Sequence, residues 1–174
     1  IASCLVGSEM CIRDRYWGYE YPDENIVFDS YMIEEKDLKE GQPRLLAVDN
    51  EVFVPVNKVV KVMITANDVL HAWALPSFGV KRDAVPGRIN ETWFKADRTG
   101  TFYGQCSELC GIKHAFMPIT VNVVTEEEYN EWLERAKVEF AKEEIDSKIK
   151  VAKKIKEINS VSYTHLRAHE TRGN

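Results

Sequence analysis

The chain has 174 residues and a formal net charge of −5, with 44% hydrophobic and 29% charged residues. This size and composition predict a single globular domain with a proper core, and the acidic balance argues against a nucleic-acid partner. The chain contains no run of about 18 apolar residues, so the sequence predicts no membrane-spanning helix within it.

The two ends of the chain are related through their coding DNA. The peptide LVGSEMCIRD (5–14) and the peptide VSYTHLRAHE (161–170) can be read from the two complementary strands of one DNA sequence. We therefore interpret residues 1–15 and 161–174 as translated sequencing adapter and exclude them from the fold prediction. Between these ends, cysteine occurs only at Cys106 and Cys110, and histidine only at His71 and His114.

Residues 16–125 show short β-branched and aromatic runs separated by turn residues. Their spacing and alternation predict an all-β sandwich or barrel. The aromatic run from Tyr16 to Tyr21 is interpreted as an edge strand packed on the sandwich. Further strands are predicted at 26–33, 44–50, 51–56, 59–67, 71–76, 89–96, 100–106 and 117–124.

The periodicity changes at Thr125, where TEEE forms a capping box with Glu128 three residues later. The following apolar stripe predicts a C-terminal α-helix over residues 126–160. We expect its first half to pack on the sandwich through Trp132. Its second half is rich in Lys and Glu, which favours a solvated extension over a partner-binding helix.

The residues with the most distinctive chemistry lie in CSELCGIKHAFM (106–117), with His71 upstream. Thiolate, imidazole and thioether form a soft ligand set that favours copper over hard cations. Two cysteines on one loop, each able to bridge, indicate two metal ions sharing two sulfurs. A structural zinc site or a disulfide is the alternative, although zinc prefers closed tetrahedral sets.

The string YGQCSELCGIKHAFMPI, preceded by DVLHAWALPSFGVKRDAVPGR, resembles the copper-A motif of cytochrome c oxidase subunit II. The resemblance extends to YWGYEYPD, FDSYMI and LLAVDN, and it implies a cupredoxin-like Greek-key sandwich holding two copper ions. It also implies that Cys106 and Cys110 bridge both ions and that Glu108 contributes its backbone carbonyl. The Glu108 carboxylate would in addition reach a magnesium ion at the interface with the catalytic subunit. The full implied copper ligand set is His71, Cys106, Glu108, Cys110, His114 and Met117.

The same resemblance implies a role for the domain. It would accept electrons from cytochrome c and pass them to subunit I, the haem-containing catalytic subunit of an oxygen-reducing haem-copper oxidase. It would contact other oxidase subunits and be held by an N-terminal anchor on the periplasmic face of the bacterial inner membrane, or on the equivalent mitochondrial side. Asp68 is a candidate for docking the cytochrome, and Tyr16 and Trp17 for bordering the electron path. The family usually has a Trp where this chain has Arg15, which predicts that the usual point of electron acceptance is missing.

Two other functions share parts of this pattern. The copper-A domain of nitrous oxide reductase has the same ligand pattern, but YEYPD, FDSYM and LHAWALPS favour the oxidase. Copper-delivery chaperones also use a C-x-x-x-C pair with a distant His. Their pair opens a helix with the His downstream, whereas here His71 lies upstream and the loop leads into a strand.

Overall fold

The computed structural model describes residues 15–140, together with the backbone of the pair Ser3–Cys4. The chain divides into two compact units, Ile1–Lys137 and Val138–Asn174. The predicted helical residues 141–160 and the predicted adapter residues 161–174 lie outside the described part. No helix among the described residues has both the length and the apolar character needed to cross a bilayer.

The first unit is built from strands arranged in two sheets and a hairpin. One sheet has the order β3-β2-β1-β5-β8, the other has the order β4-β10-β9, and β6 pairs with β7. The strands are β1 Ser3–Cys4, β2 Trp17–Tyr21, β3 Ile26–Ser30, β4 Val52–Pro55, β5 Val59–Ile64, β6 His71–Leu75, β7 Val80–Ala84, β8 Asn90–Lys95, β9 Gly100–Gln105 and β10 Pro118–Val124.

The core lies between the inner faces of these strands. In β5, Val60, Val62 and Ile64 are buried and alternate with more exposed residues, as the sequence pattern predicts. Side chains from six different strands surround one small apolar void of about 10 Å³. The members of that lining are Tyr19, Val52, Val54, Val60, Val62, Trp73, Phe94 and Val121. The predicted all-β sandwich is therefore confirmed.

Three details of the strand prediction are wrong. The aromatic run forms β2, which is not an edge strand, because it pairs with β3 on one side and with β1 on the other. Residues 44–50 form turns with a single bridge between Met32 and Val48, and Leu45 has a positive φ of 66° that no regular strand accommodates. Conversely, β7 was not predicted, because its middle residues Lys81, Arg82 and Asp83 are charged and face solvent. Antiparallel pairing with the apolar β6 supplies the stability that its own sequence lacks.

The predicted helix begins as expected and is described over residues 126–140. Glu128 N–H donates to Thr125 Oγ1 at 3.3 Å, and Thr125 N–H donates back to the Glu128 carboxylate at 2.9 Å, which confirms the capping box. Trp132 is buried, and its ring centroid lies 5.0 Å from that of Phe53 and 5.1 Å from that of Tyr21. The expected contact of Trp132 with the sandwich is thus confirmed.

Candidate metal centre

The candidate ligands are carried by two neighbouring parts of the sandwich. His71 is the first residue of β6, and the other candidates lie on the loop 106–117 between β9 and β10. The Cys106 N–H donates to the Met117 carbonyl at 3.0 Å, which closes the base of the loop. The Ser107 N–H donates to the Ala72 carbonyl at 3.0 Å and so fixes the loop beside His71.

Close approach of β9 to β6 depends on Gly104. A Cβ atom at this position would overlap the carbonyl oxygen of Ala74, and that backbone atom cannot rotate away. Glycine therefore allows the strand that leads into Cys106 to lie against the strand that begins with His71.

Nitrogen and sulfur donor atoms form a continuous row. His71 Nδ1 lies 3.9 Å from Cys106 Sγ, and the two cysteine sulfurs are 3.9 Å apart. Cys110 Sγ lies 3.4 Å from His114 Nδ1 and 3.9 Å from Met117 Sδ. A disulfide needs sulfurs about 2.0 Å apart, and both cysteines are free thiols. The predicted disulfide alternative is therefore not the state of this structure.

Most of this donor set is withdrawn from solvent. His71, Cys106, Cys110 and Met117 are all 5% exposed or less, whereas His114 is half-buried. The donor atoms of His71, Cys106 and Cys110 lie within 4.8 Å of one another. Buried polar donors converging on one point are the arrangement expected of a metal site.

The two thiols titrate differently. Burial opposes ionisation of Cys106, but hydrogen bonds with the His71 ring and with the backbone of Ala72 outweigh it and lower the pKa of this thiol. Burial and the neighbouring Cys106 charge raise the pKa of Cys110. The pair therefore loses one proton readily and retains the second. A bound cation would have to displace that second proton before both sulfurs could act as thiolates.

Asp68 holds His71 in place. The Asp68 Oδ1 lies 2.8 Å from His71 Nε2, and because Nδ1 faces the sulfurs, Nε2 is the nitrogen that donates to the carboxylate. Although partial burial acts to raise it, the pKa of Asp68 is lowered by this hydrogen bond and by the nearby Arg15. Arg15 lies 3.4 Å from Asp68 and donates from Nε to the Ile112 carbonyl at 2.9 Å.

The structure assigns places to the other predicted site residues. The Glu108 carbonyl oxygen lies 3.4 Å from Cys106 Sγ, on the donor row, while its side chain is only half-buried. Trp17 is 1% exposed, so a docked partner would not touch it directly. Tyr16 is half-buried, with its ring centroid 4.6 Å from that of Tyr31. The ligand and electron-path roles of these residues stay predictions.

Sequence reasoning missed two supporting contacts of the site. Asp68 was predicted as a docking residue, and only its spacing of three residues from His71 could have indicated the hydrogen bond. The second is the indole N–H of Trp17, which donates to the Met117 carbonyl at 3.3 Å across 100 residues of sequence. No sequence pattern signals a contact of that separation.

Fold and donor set together define a β-sandwich protein with a site for soft metal ions. A family model described as cytochrome c oxidase subunit II, periplasmic domain, matches residues 9–124. The chain belongs to this family. The match begins within residues 1–15, which the sequence analysis excluded, so the domain boundaries remain predictions.

Individual relatives agree with the family. Cytochrome c oxidase subunit 2 of Cereibacter sphaeroides is 54% identical over 140 residues, which cover 70% of this chain and 46% of the relative. The chain therefore spans less than half the length of this curated relative. The crystal structure of the periplasmic domain of subunit II of cytochrome oxidase from Bradyrhizobium japonicum is 60% identical, with a TM-score of 0.67. It covers 72% of this chain and 88% of that chain.

A second solved structure shows a partner of a related chain. It is a mixed disulfide intermediate between a thioredoxin-like protein and subunit II of cytochrome c oxidase, with 59% identity and a TM-score of 0.61. It covers 71% of this chain and 84% of that chain. These comparisons confirm the predicted cupredoxin-like fold and the oxidase family, and they do not support the nitrous oxide reductase or chaperone alternatives.

Membership in this family implies a copper centre, and the donor set fits one. Two thiols, an imidazole and a thioether are soft or intermediate donors, and no carboxylate oxygen lies among the buried donors described above. The separation of 3.9 Å between the sulfurs can be spanned by an ion bound to both, since metal–thiolate bonds are about 2.3 Å long.

Proposed function

We propose that this chain is the electron-transfer domain of a haem-copper oxidase. It accepts electrons from cytochrome c at a dinuclear copper-A centre and passes them to the catalytic subunit, where oxygen is reduced. The domain itself makes and breaks no substrate bonds. It contributes electron transfer to an oxidoreductase, of which it is one subunit. The complete protein carries an N-terminal anchor that holds the domain on the periplasmic face of the inner membrane.

The observation that carries this proposal is the row of donors centred on two thiols. Cys106 and Cys110 are 3.9 Å apart, with His71 Nδ1 3.9 Å from the Cys106 sulfur and His114 Nδ1 3.4 Å from the Cys110 sulfur. A mononuclear site would place one thiolate at the centre of its donors. Two central sulfurs with one imidazole beside each instead suit two metal ions, one next to each histidine, with both sulfurs shared.

Each candidate ligand has a distinct task in this proposal. Cys106 and Cys110 would supply the thiolates that hold both ions, His71 and His114 would supply imidazoles, and Met117 and the Glu108 carbonyl would supply weaker donors. Copper contributes the one-electron redox chemistry when it is bound. The protein keeps water out and holds the donors still, because Met117 and the thiols are buried and the loop is closed at its base. A rigid donor set limits reorganisation when an electron arrives or leaves.

The surface around the ligand loop suits large partners. Leu109 is 81% exposed and Ile112 is 76% exposed, although both flank buried ligands. Exposed apolar side chains grouped at a functional site indicate a surface covered by another protein. We assign this apolar rim to the catalytic subunit, with the Glu108 carboxylate reaching a magnesium ion there, and Asp68 to the side that meets cytochrome c.

Copper stoichiometry with an EPR spectrum tests the proposed centre. Loaded wild-type protein is expected to hold two copper ions per chain, with one unpaired electron coupled equally to both nuclei. The matched variant Cys110→Ser should lose this coupling, because one of the two shared sulfurs is gone. One copper per chain in the wild type, or zinc retained in preference to copper, would rule out the dinuclear centre.

We also propose that the thiol pair must be kept reduced by a thioredoxin-like partner before copper is loaded. A related chain forms a mixed disulfide with such a protein, and the periplasm is an oxidising compartment. Thiols 3.9 Å apart can close to a disulfide after a small movement. In the exchange, a partner thiolate attacks one sulfur of that disulfide, and the partner's second thiol then releases the reduced pair and leaves the partner oxidised.

Copper uptake by oxidised protein tests this second role. Oxidised chain should bind no copper until a reduced thioredoxin-like protein is added, whereas a partner with both active-site cysteines replaced by Ser should restore nothing. Uptake at the same rate with and without the reductant would count against the requirement.

A further inference from the structure

Trp17 is a buried residue outside the ligand set that touches both the ligand loop and His71. Its indole N–H donates to the Met117 carbonyl at 3.3 Å, and its ring meets the His71 ring edge-on, with centroids 6.1 Å apart at 67°. The residue is 1% exposed and lies at the start of β2, in a different part of the chain from every candidate ligand. One side chain thus connects β2 to the loop and to β6.

The Met117 carbonyl is a shared acceptor. It receives the Cys106 N–H at 3.0 Å and the Trp17 indole N–H at 3.3 Å, which uses both of its lone pairs. Met117 is also the residue at which the loop enters β10, with φ −124° and ψ 68°. A rotation of the peptide at this point would move Met117 Sδ relative to Cys110 Sγ, from which it is 3.9 Å away.

We propose that Trp17 is a positioning residue for the metal centre. Its indole N–H fixes the Met117 peptide, and through it the thioether and the base of the ligand loop. This inference rests on the proposed copper function, because the position of a weak donor such as the Met117 thioether would tune a bound copper ion. It assigns to Trp17 a hydrogen-bonding role that differs from bordering an electron path, since a phenyl ring would serve the latter equally well.

The test replaces the indole while keeping an aromatic ring. In Trp17→Phe the N–H is lost, and in the matched control Trp73→Phe another buried indole is lost. The Trp73 N–H bonds to the Tyr19 hydroxyl at 3.4 Å and reaches no loop residue. Both variants replace a buried indole by a phenyl ring and lose one hydrogen bond, but only Trp17→Phe loses the bond to the Met117 carbonyl.

The first readout is amide hydrogen exchange in metal-free protein. In Trp17→Phe, exchange of the Cys106 amide is expected to accelerate about fivefold or more, which corresponds to losing one supporting hydrogen bond. The Ser107 amide, whose acceptor is Ala72 rather than Met117, serves as the internal reference and should change less. In Trp73→Phe both amides should keep nearly their wild-type rates.

The second readout is spectroscopic, on copper-loaded protein. Trp17→Phe should shift the reduction potential and make the copper hyperfine coupling unequal between the two nuclei, whereas Trp73→Phe should do neither. An unchanged Cys106 exchange rate in Trp17→Phe, or equal acceleration in both variants, would overturn the proposal. So would faster exchange combined with wild-type potential and hyperfine coupling.

Failure of the copper function would look different. If wild-type protein binds no pair of coppers, the proposed function fails, and the exchange readout alone still decides whether Trp17 fixes the loop. If Trp17→Phe does not fold, the test is made on the wild-type protein, by measuring the NMR chemical shift of the Met117 carbonyl carbon. That shift should move when the Trp17 indole proton is replaced by deuterium, and its failure to move would overturn the proposal.

Discussion

Asp68 shows how a residue outside a ligand set can control it. The carboxylate accepts a hydrogen bond from His71 Nε2 at 2.8 Å and thereby favours the tautomer with its proton on Nε2. The other nitrogen, Nδ1, faces the sulfurs. The Asp68 side chain remains 29% exposed, so the same group is available to a basic partner. The predicted docking role and the orientation of His71 therefore depend on the same carboxylate.

We expect Asp68→Ala to weaken copper binding by about 10- to 100-fold, the usual cost of removing the hydrogen-bond partner of a ligating histidine. A chelator-competition titration measures this. The control Asp97→Asn removes one negative charge at another exposed position and should leave the affinity unchanged. If Asp68→Ala matches that control, the carboxylate does not orient His71.

Arg15 occupies the position where the family resemblance places a Trp. Its guanidinium contacts Asp68 at 3.4 Å and the Ile112 carbonyl at 2.9 Å, so a cation lies beside the carboxylate that is the candidate for docking cytochrome c. We expect Arg15→Trp to raise the rate of electron transfer from reduced cytochrome c, measured by stopped-flow absorbance. Arg15→Leu removes the same cation without adding a ring. Equal rates in the two variants would mean that charge, and not the aromatic ring, limits transfer.

Individual strands differ in how much of their stability lies in their own residues. The alternation in β5 and the capping box at Thr125 are local patterns, and both were predictable from the sequence. The strand β7 depends on pairing with β6, and the turns at 44–50 depend on the left-handed backbone of Leu45. Neither feature has a local signal, because an apolar stretch such as RLLAV suits a strand equally well.

The candidate site divides in the same way. Cys106, Cys110, His114 and Met117 share one short segment, so their spacing revealed them, and His71 was added as the other histidine between the two ends. The family resemblance added the Glu108 carbonyl. The contacts of Trp17 and Arg15 arise only when β2 is brought against the loop. Sequence reasoning therefore found the donors but not the groups that hold them in place.

The approach of β9 to β6 gives a prediction for an element. Gly104→Ala is expected to destabilise the domain by about 1–3 kcal/mol, the usual cost of forcing an atom into a packed interior, because the added methyl overlaps the Ala74 carbonyl oxygen. Chemical denaturation measures this. Gly41→Ala is the control, since it has open space around it and carries only the strain of its positive φ. A Gly104→Ala cost no larger than that of Gly41→Ala would show that β9 can move away from β6.

The hydroxyl of one tyrosine forms hydrogen bonds with the backbone of β4 at the edge of its sheet. Tyr21 OH donates to the Phe53 carbonyl at 2.9 Å and accepts from the Phe53 N–H at 3.2 Å, which satisfies two backbone groups that the β4–β10 ladder does not use. We expect Tyr21→Phe to cost about 1–3 kcal/mol, because both groups would lose their partner in a part-buried position. Tyr129→Phe removes a hydroxyl from the same aromatic cluster and should cost less in the same denaturation experiment.

At the scale of the whole molecule, the open question is which residues form the cooperative unit. The sequence analysis assigns residues 1–15 to adapter. Yet the backbone of Ser3 pairs with Glu20 of β2 on one side and with Met63 of β5 on the other. This two-residue rung joins two parts of one sheet. Its backbone contributes a few hydrogen bonds, each with a net value of about 0.5–1.5 kcal/mol.

We therefore expect the chain shortened to residues 15–160 to fold as the full chain does. Its melting temperature should fall by about 10 °C or less, which corresponds to the roughly 2–3 kcal/mol that a few such hydrogen bonds contribute, because the buried core side chains found among the described residues lie at positions 17–140. Differential scanning calorimetry of the two metal-free proteins measures the shift, and the copper stoichiometry of both shows whether the site survives.

A chain shortened only to residues 1–160 separates the effect of the C-terminal peptide from that of the N-terminal one. A much larger fall on removing the N-terminal peptide alone would mean that the Ser3–Cys4 rung belongs to the cooperative fold. The domain boundary at residue 16 would then be wrong.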